Sequence, residues 1–406
     1  MSVRWISRSR LSMQRLGFCK AVLAFSDMAR TAGQMADVLR TRLEERKYDI
    51  TYDAALAAWL QGLHESGQTN PGLSVSLQKL YVYNHPSQTG WLSRLGFKEY
   101  VEFLPQRLAL VTDSYEPADM GLVLSRGLMS AEQHEALQSP SATNPLVLEC
   151  GEQIFFLYNL LAADGDFLLS FCQALVDGYG EGSFDYLDAG CTLPDVIATI
   201  VSRFAGAAYT RTDRDQLEKL ESTAQRIHRE IDQNIEKQGS GSRREQTTIP
   251  RMEWLVDVGL ARRTASRTWC LTPAGQRMMD LVEAYGAEMS RKYPENVMAS
   301  VLDSKFFKYA SDAYSDRHGG GVGRDEFLPF VSPAYRLLAG VGGYCLLRPL
   351  LLCANIMSLR NRQGLYLEYD EATSLLEDIY QSSPEALHYT IDRYNTDYQV
   401  RFERKP

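Results

Sequence analysis

The fold prediction for this chain depends on one stretch, EWLVDVGLARRTASRTWCLTPAG, residues 253–275. Trp254 and Leu255 belong to a pattern that is typical of a helix with a buried face, and this pattern stops at Gly259. Glycine commonly follows the last turn of a helix because it adopts the left-handed conformation without strain. Polar and basic residues and then a short apolar run ending at Thr272 come next. The stretch therefore predicts a helix, a glycine stop and a small two-stranded hairpin.

The same sequence pattern occurs a second time, nearer the N-terminus. Residues 90–112 read GWLSRLGFKEYVEFLPQRLALVT, with Trp-Leu, a glycine at Gly96 and an apolar run that ends at Thr112. A helix and a hairpin are predicted here as well. Upstream of this copy, helices are expected over 27–46 and 52–65.

A series of helices is predicted before the hairpin of the central stretch. Asp164-Gly165 is a turn signal and is expected to separate two helices. Thr192 and Thr248 are expected to be N-caps, each with a proline just inside the helix. A GSGS break at 239–242 follows a long amphipathic helix. The expected helices cover 152–164, 165–178, 192–206, 213–238 and 243–260.

The C-terminal third gives a similar order in different residues. Helices are predicted over 344–359, 370–381 and 382–394, the last with Ser383 as N-cap and Pro384 at its first position. Short strands are predicted over 365–369 and 398–404, the latter from the alternation of apolar and polar residues.

Length and composition set the domain number. At about 150 residues per domain, 406 residues correspond to two or three domains. Apolar residues are 45% of the chain, enough to exclude a wholly disordered protein. We expect an N-terminal basic domain over 1–137, a central domain over 145–290 and a C-terminal domain over 291–406. The predicted class is mainly α with small β-hairpins, that is, α+β.

These stretches resemble the winged helix-turn-helix modules of prokaryotic DNA-binding proteins. The resemblance implies tandem winged-helix domains joined by helical segments. It also implies that the helix before the hairpin enters the major groove and that the hairpin, or wing, touches phosphate. Carried onto this sequence, the groove-facing residues are Arg243, Arg244, Thr247, Thr248 and Arg251. The wing residues are Arg262, Arg263, Arg267 and Thr268.

Charge supports this interpretation only locally. The formal net charge is -8, but residues 1–47 carry +6, so the remainder carries -14. Arginines cluster at the start of the predicted groove helix and in the wing, and their planar guanidinium suits guanine edges and phosphates. The plainer alternative is that these arginines form a solvated rim. A winged helix also binds proteins in many cases, and the acidic C-terminal copy is expected to bind protein or to pack internally.

Other chemistry is not indicated by the sequence. The seven cysteines show no CxxC pair and the six histidines stand singly, so no metal site and no cofactor are expected. HGGGVG (318–323) lacks the Lys-Ser/Thr ending of a phosphate loop. No run of about 18 apolar residues is evident, so a cytoplasmic protein without a membrane segment is expected.

We therefore expect a non-enzymatic protein that binds double-stranded DNA, with protein partners in a larger assembly. A DNA-recognition subunit of a prokaryotic DNA-processing or phage-defence (antiviral) complex fits this size and architecture. Two alternatives stay open: a protein-interaction scaffold without direct DNA contact, and a divergent metal-dependent nuclease.

Overall fold

A computed structural model describes most of the chain outside an N-terminal gap. The described residues are 3–6, 16–31, 33–35, 37–38, 104–138, 148–180, 182–206, 210–233, 243–265, 268–289, 293–315, 320–340, 342–361, 365–385, 387–392 and 397–402. They are mainly helical, with short strands between the helices. The predicted α+β class is confirmed at this level.

The helices of the described residues are labelled here in chain order. They are α1 (Phe18–Ala24), α2 (Leu104–Arg107), α3 (Asp119–Leu122), α4 (Ala131–Gln138), α5 (Cys150–Tyr179), α6 (Tyr186–Ala205), α7 (Arg211–Asp232), α8 (Arg243–Asp257), α9 (Pro273–Arg277), α10 (Met279–Met289), α11 (Pro294–Ser304), α12 (Phe306–Tyr314), α13 (Arg324–Leu338), α14 (Leu347–Arg360) and α15 (Tyr369–Ser382). A short 3-10 helix covers Ser26–Met28, and a π-helical stretch over Val123–Leu128 continues α3.

The strands found among the described residues form three small sheets. They are β1 (Phe184–Asp185), β2 (Ala261–Ala265), β3 (Thr268–Leu271), β4 (Gly320–Gly321), β5 (Cys345–Leu346), β6 (Leu365–Tyr366), β7 (Leu387–Asp392) and β8 (Asp397–Phe402). The sheet orders are β1-β3-β2, β4-β6 and β5-β8-β7. All pairs are antiparallel except β4 with β6.

Helix α5 is the centre of the core. It contacts α6, α10, α11, α12 and α14, so elements from both halves of the chain pack on it. The predicted break at Asp164-Gly165 is wrong, because the helix runs through it. A Cβ at Gly165 would lie 2.6 Å from the Met298 side chain, so the glycine allows α11 to approach closely. Asp164 and the nearby Asp166 bind other elements instead of ending the helix.

By length and composition, α5 is also the one helix among the described residues able to cross a bilayer. However, 83% of its most apolar 18-residue window is buried inside the protein. The sequence predicts a break in the middle of this segment, so its full length is seen only in the structure. Burial of the apolar window is the position expected of a central core helix.

The hairpin of the central stretch is confirmed. Helix α8 ends at Asp257, and Gly259 has φ 76°, the left-handed conformation that ends the helix. Strands β2 and β3 then pair, with the register shifted between Arg263 and Ala265. Close packing continues beyond the hairpin, because a Cβ at Gly275 would lie only 2.0 Å from the backbone oxygen of Leu260.

The predicted helix over 382–394 is wrong, because residues 387–392 form strand β7. Ser383 and Pro384 lie before the strand and do not begin a helix. Leu387 is fully buried and lies opposite Phe402 on β8, whereas His388 is exposed. A buried residue followed directly by an exposed one fits a pleated strand, in which successive side chains point to opposite faces.

Other predicted boundaries also shift. Helix α6 begins at Tyr186 with Asp185 as its N-cap, so Thr192 lies inside it and is not a cap. Helix α8 includes Thr248, which is therefore not a cap either. Residues 104–107 form a helical turn where the second copy of the motif predicts a hairpin.

Several predictions fall largely or wholly outside the described residues. They are the helices over 27–46 and 52–65, most of the copy at 90–112, the end of the long helix beyond residue 233 and the break at 239–242.

A similar order of elements occurs twice in the described residues, with one helix more before the hairpin in the first case. In the first case it is α5, β1, α6, the helices α7 and α8, and the hairpin β2-β3. In the second it is α13, β5, α14, α15, and the hairpin β7-β8, with the short β6 before α15. In both, the short first strand pairs with the second strand of the hairpin.

A buried carboxylate joins α12 to α15 in this second repeat. Glu368 is the N-cap residue of α15, and it accepts hydrogen bonds from the backbone N–H groups of Phe307 and Lys308 at the start of α12. Burial raises the pKa of Glu368 to about 7, although these donors act in the opposite direction.

Candidate functional site

The predicted groove-facing residues of α8 lie mostly inside the protein. Arg244 and Thr247 are 5% and 3% exposed, Thr248 and Arg251 are fully buried, and Arg243 is half-buried. The expectation that they share an outward surface is wrong. In this position Arg244, Thr247, Thr248 and Arg251 do not reach a DNA duplex.

The N-terminus of α8 is covered by a carboxylate of α7. Glu230 accepts hydrogen bonds from the backbone N–H groups of Arg243 at 2.7 Å and Arg244 at 2.8 Å. A helix N-terminus attracts anions because its N–H groups are unpaired and its dipole is positive there. Glu230 therefore occupies the anion position at this helix N-terminus. Gly190 on α6 also lies against the Arg244 side chain, since a Cβ there would be 2.3 Å from Arg244 Cγ.

Arg251 forms a buried ion pair with Asp164 of α5. Its Nε and Nη2 atoms each donate to a different carboxylate oxygen of Asp164 at 2.8 Å, and both side chains are fully buried. The guanidinium carbon lies 4.2 Å from the centre of the Phe167 ring. Burial raises the pKa of the Asp164 carboxyl, and the neighbouring Arg251 charge acts in the opposite direction.

The same aspartates bind the N-terminal segment 3–6. Asp164 accepts the Ile6 N–H at 2.6 Å, and Asp166 accepts the Arg4 N–H at 2.8 Å. Arg251 Nη2 also donates to the Ile6 carbonyl at 3.1 Å. Tyr285 of α10 donates its hydroxyl to Asp166 at 2.9 Å. We call this set of contacts the Asp164–Arg251 network.

Two further contacts tie the basic N-terminal region to the core. Lys20 is fully buried and pairs with Glu152 of α5 at 2.7 Å. Leu16 donates its backbone N–H to Asp257 of α8 at 2.7 Å. The basic N-terminal region could add phosphate contacts to a DNA-binding surface, but the buried Lys20 cannot make one in this position. Arg8, Arg10 and Arg15 lie outside the described residues.

The predicted wing residues are divided between core and surface. Arg263 is paired with Glu253 at 2.7 Å, and Glu253 also accepts the Trp269 indole N–H at 2.9 Å. Thr268 is half-buried at the start of β3, and Arg267 lies outside the described residues. Of the predicted site residues that the structure describes, only Arg262 is exposed.

The corresponding helix of the second repeat, α15, has an acidic outer face. Its exposed carboxylates are Asp370, Glu371, Glu377 and Asp378. This face repels phosphate. Arg348 lies over the Tyr369 ring but pairs with Asp303 through both terminal nitrogens. The exposed Arg324 donates to the Ser382 hydroxyl at the C-terminal end of the helix.

Metal ligands and reactive thiols are the two kinds of chemical group on which the structure bears directly. No three His, Cys, Asp or Glu side chains in the described part of the chain come together as metal ligands. Burial raises the pKa values of the Cys172, Cys345 and Cys353 thiols to about 12, which makes them poor nucleophiles.

Sequence reasoning missed the Asp164–Arg251 network. The available signal is the pair Asp164 and Asp166 in the middle of the strongly apolar segment 152–178. Charged groups are rarely fully buried unless they are paired, so this position indicated a distant cation. The Asp-Gly pair was instead interpreted as a turn.

The chain matches no protein-family model, no curated protein and no solved structure. Function is therefore argued from the geometry of the fold.

Proposed function

We propose that this chain is a non-enzymatic interaction scaffold built on two winged-helix units that bind proteins. The repeated order of elements supports the winged-helix part of the proposal. In that fold a short strand between the first two helices pairs with the second strand of the wing, and this pairing occurs in both sheets, β1-β3-β2 and β5-β8-β7.

One observation favours protein partners over DNA: of the two helices that lead into a hairpin in the described part of the chain, neither presents a basic face. Helix α8 is buried, with Glu230 on its N-terminus. Helix α15 is exposed but acidic. Since DNA binding depends on cations placed against phosphate, both helices lack the electrostatic requirement.

The partner surface expected for α15 is basic. Glu377 and Asp378 lie side by side in the sequence, and both are exposed near the C-terminal end of the helix. Complementary charge accelerates encounter and selects among partners. The charge of -14 over residues 48–406 agrees with a basic partner.

Crosslinking in the native host tests this proposal. We expect partners crosslinked to the wild-type chain to be lost when Glu377 and Asp378 are both changed to lysine. The matched control is the double variant Asp280→Lys with Glu283→Lys, two exposed carboxylates on α10, which should keep the partners. Equal recovery by both variants would contradict a role for the α15 face.

DNA binding through the wing is the second candidate, and exposure of Arg262 favours it. Fluorescence anisotropy with a labelled duplex is the measurement. If the wing binds, Arg262→Ala should weaken binding and reduce the slope of log K against log salt by about 1. If the scaffold proposal is right, the wild-type chain binds the duplex no tighter than about 10⁻⁴ M at physiological salt. The wider assembly, a DNA-processing or phage-defence complex, stays a prediction.

A further inference from the structure

The N-terminal segment 3–6 is held through its main chain by side chains of two distant helices. Asp166 and Asp164 accept the N–H groups of Arg4 and Ile6, at 2.8 and 2.6 Å. Arg251 donates to the carbonyl of Ile6 at 3.1 Å. Residues 4 and 6 are alternate positions, and an extended chain presents the N–H groups of alternate residues to one side. The contacts are those of a peptide in a binding groove between α5 and α8.

Side chains of the segment add apolar anchors to these contacts. Val3 and Ile6 are 6% and 2% exposed, while Arg4 and Trp5 are half-buried. Val3 and Ile6 therefore fill apolar sites. Burial lowers the pKa of Arg4, and the neighbouring Asp166 charge acts in the opposite direction. The groove therefore selects an apolar residue at positions one and four of the segment.

A segment bound in this way need not belong to the same chain as the groove. Main-chain hydrogen bonds give affinity to any extended segment, and a few side-chain pockets give selectivity. The carboxylates of the groove lie on α5 and the guanidinium on α8. A fully buried ion pair joins Asp164 to Arg251, and Tyr285 of α10 donates to Asp166. These contacts among α5, α8 and α10 do not involve segment 3–6.

We propose that this groove is a peptide-docking site, occupied in the structure by the chain's own residues 3–6. Its partner is an extended segment of another protein with apolar residues at positions one and four, which replaces residues 3–6. This inference rests on the proposed scaffold function and names the chemistry of one partner. Its failure leaves the scaffold proposal intact, because the α15 face is tested by separate variants.

The first experiment uses the full chain and a labelled peptide, MSVRWISRS, which copies residues 1–9. In the wild-type chain its own segment competes at an effective concentration of about 1 mM, so the peptide binds weakly. Ile6→Asp in the chain places a charge in an apolar site and releases the segment. We expect the labelled peptide to bind this variant at least about tenfold more tightly than the wild type. The same peptide with its own Ile6→Asp change should bind neither chain.

The matched control is Ile231→Asp, a half-buried position on α7 outside the contacts of the groove. This control distinguishes release of the segment from general destabilisation of the fold. The Ile231→Asp chain should bind the peptide no better than the wild type does. Equal peptide affinity for the Ile6→Asp and wild-type chains would overturn the proposal.

Hydrogen exchange of the wild-type chain gives a second readout that needs no variant. Excess unlabelled peptide should accelerate exchange in the fragment containing Arg4 and Ile6, while fragments from the middle of α5 stay protected. If residues 3–6 exchange only when the whole chain unfolds, whatever the peptide concentration, the segment is a fixed part of the core and the docking site does not exist.

Discussion

Replacing Arg251 with methionine should destabilise the protein strongly. Methionine keeps the aliphatic volume but removes the charge, and a buried Asp164 is then left without its cation. The carbonyls of Thr247 and Ile6 lose their Arg251 donors as well. At a DNA-contacting surface, as the sequence alone predicts, the same change would hardly affect stability.

The magnitude follows from these contacts. Removing one partner of a fully buried ion pair costs about 3–5 kcal/mol. The upper part of this range is expected at pH 8, where Asp164 must be charged or must take up a proton at a cost. Burial already raises the pKa of Asp164, and loss of Arg251 raises it further. The destabilisation is therefore smaller at pH 5, where the protonated carboxyl is easily formed.

Urea unfolding followed by tryptophan fluorescence measures this effect, because Trp254 and Trp269 are both fully buried in the same unit. Arg262→Met is the matched control: its side chain is exposed, and a change within about 0.5 kcal/mol is expected. Combining Arg251→Met with Asp164→Leu should recover part of the loss, since the buried charge is then absent.

One result would refute the reasoning: Arg251→Met and Arg262→Met with the same free energy of unfolding at pH 8. Arg251 would then be solvated, and the DNA-facing interpretation of α8 would regain its basis.

The remaining predictions concern packing and pH. Gly275→Ala should destabilise by about 1–3 kcal/mol because its Cβ would meet the Leu260 oxygen, whereas Gly286→Ala, inside α10 with open space around its Cβ, should stabilise by up to about 1 kcal/mol. Thermal melts of both variants check this, and equal shifts would contradict it. Glu368 binds its proton more tightly in the folded protein, with a pKa raised from 4.5 to about 7, so the stability it contributes is full below pH 4.5 and is lost as the pH rises to about 7. Melting temperatures of Glu368→Gln should depend less on pH over this window, and an unchanged slope would exclude Glu368 as the cause.

Local patterns predicted local structure well in the central stretch. The apolar spacing before Gly259, the glycine itself and the short runs after it specify a helix, a left-handed stop and a hairpin. These features depend on neighbours a few residues away, so they can be read along the chain. The mainly helical class follows from the same kind of signal.

Patterns that depend on distant partners were misread. Ser383, Pro384 and Glu385 form a good helix start, but residues 387–392 pair with β8 and become a strand. Tertiary pairing outweighs a local propensity worth only a few tenths of a kcal/mol per residue.

The sequence by itself determined that helix α8 and its hairpin exist and that arginines are concentrated there. Only the tertiary structure decided that Arg251 faces inward, since its partner Asp164 is 87 residues away and the Ile6 carbonyl is 245 residues away. Arginine carries the same charge on a surface and in a core. What differs is whether a carboxylate from another element compensates for the lost water, and that is a property of the packed chain.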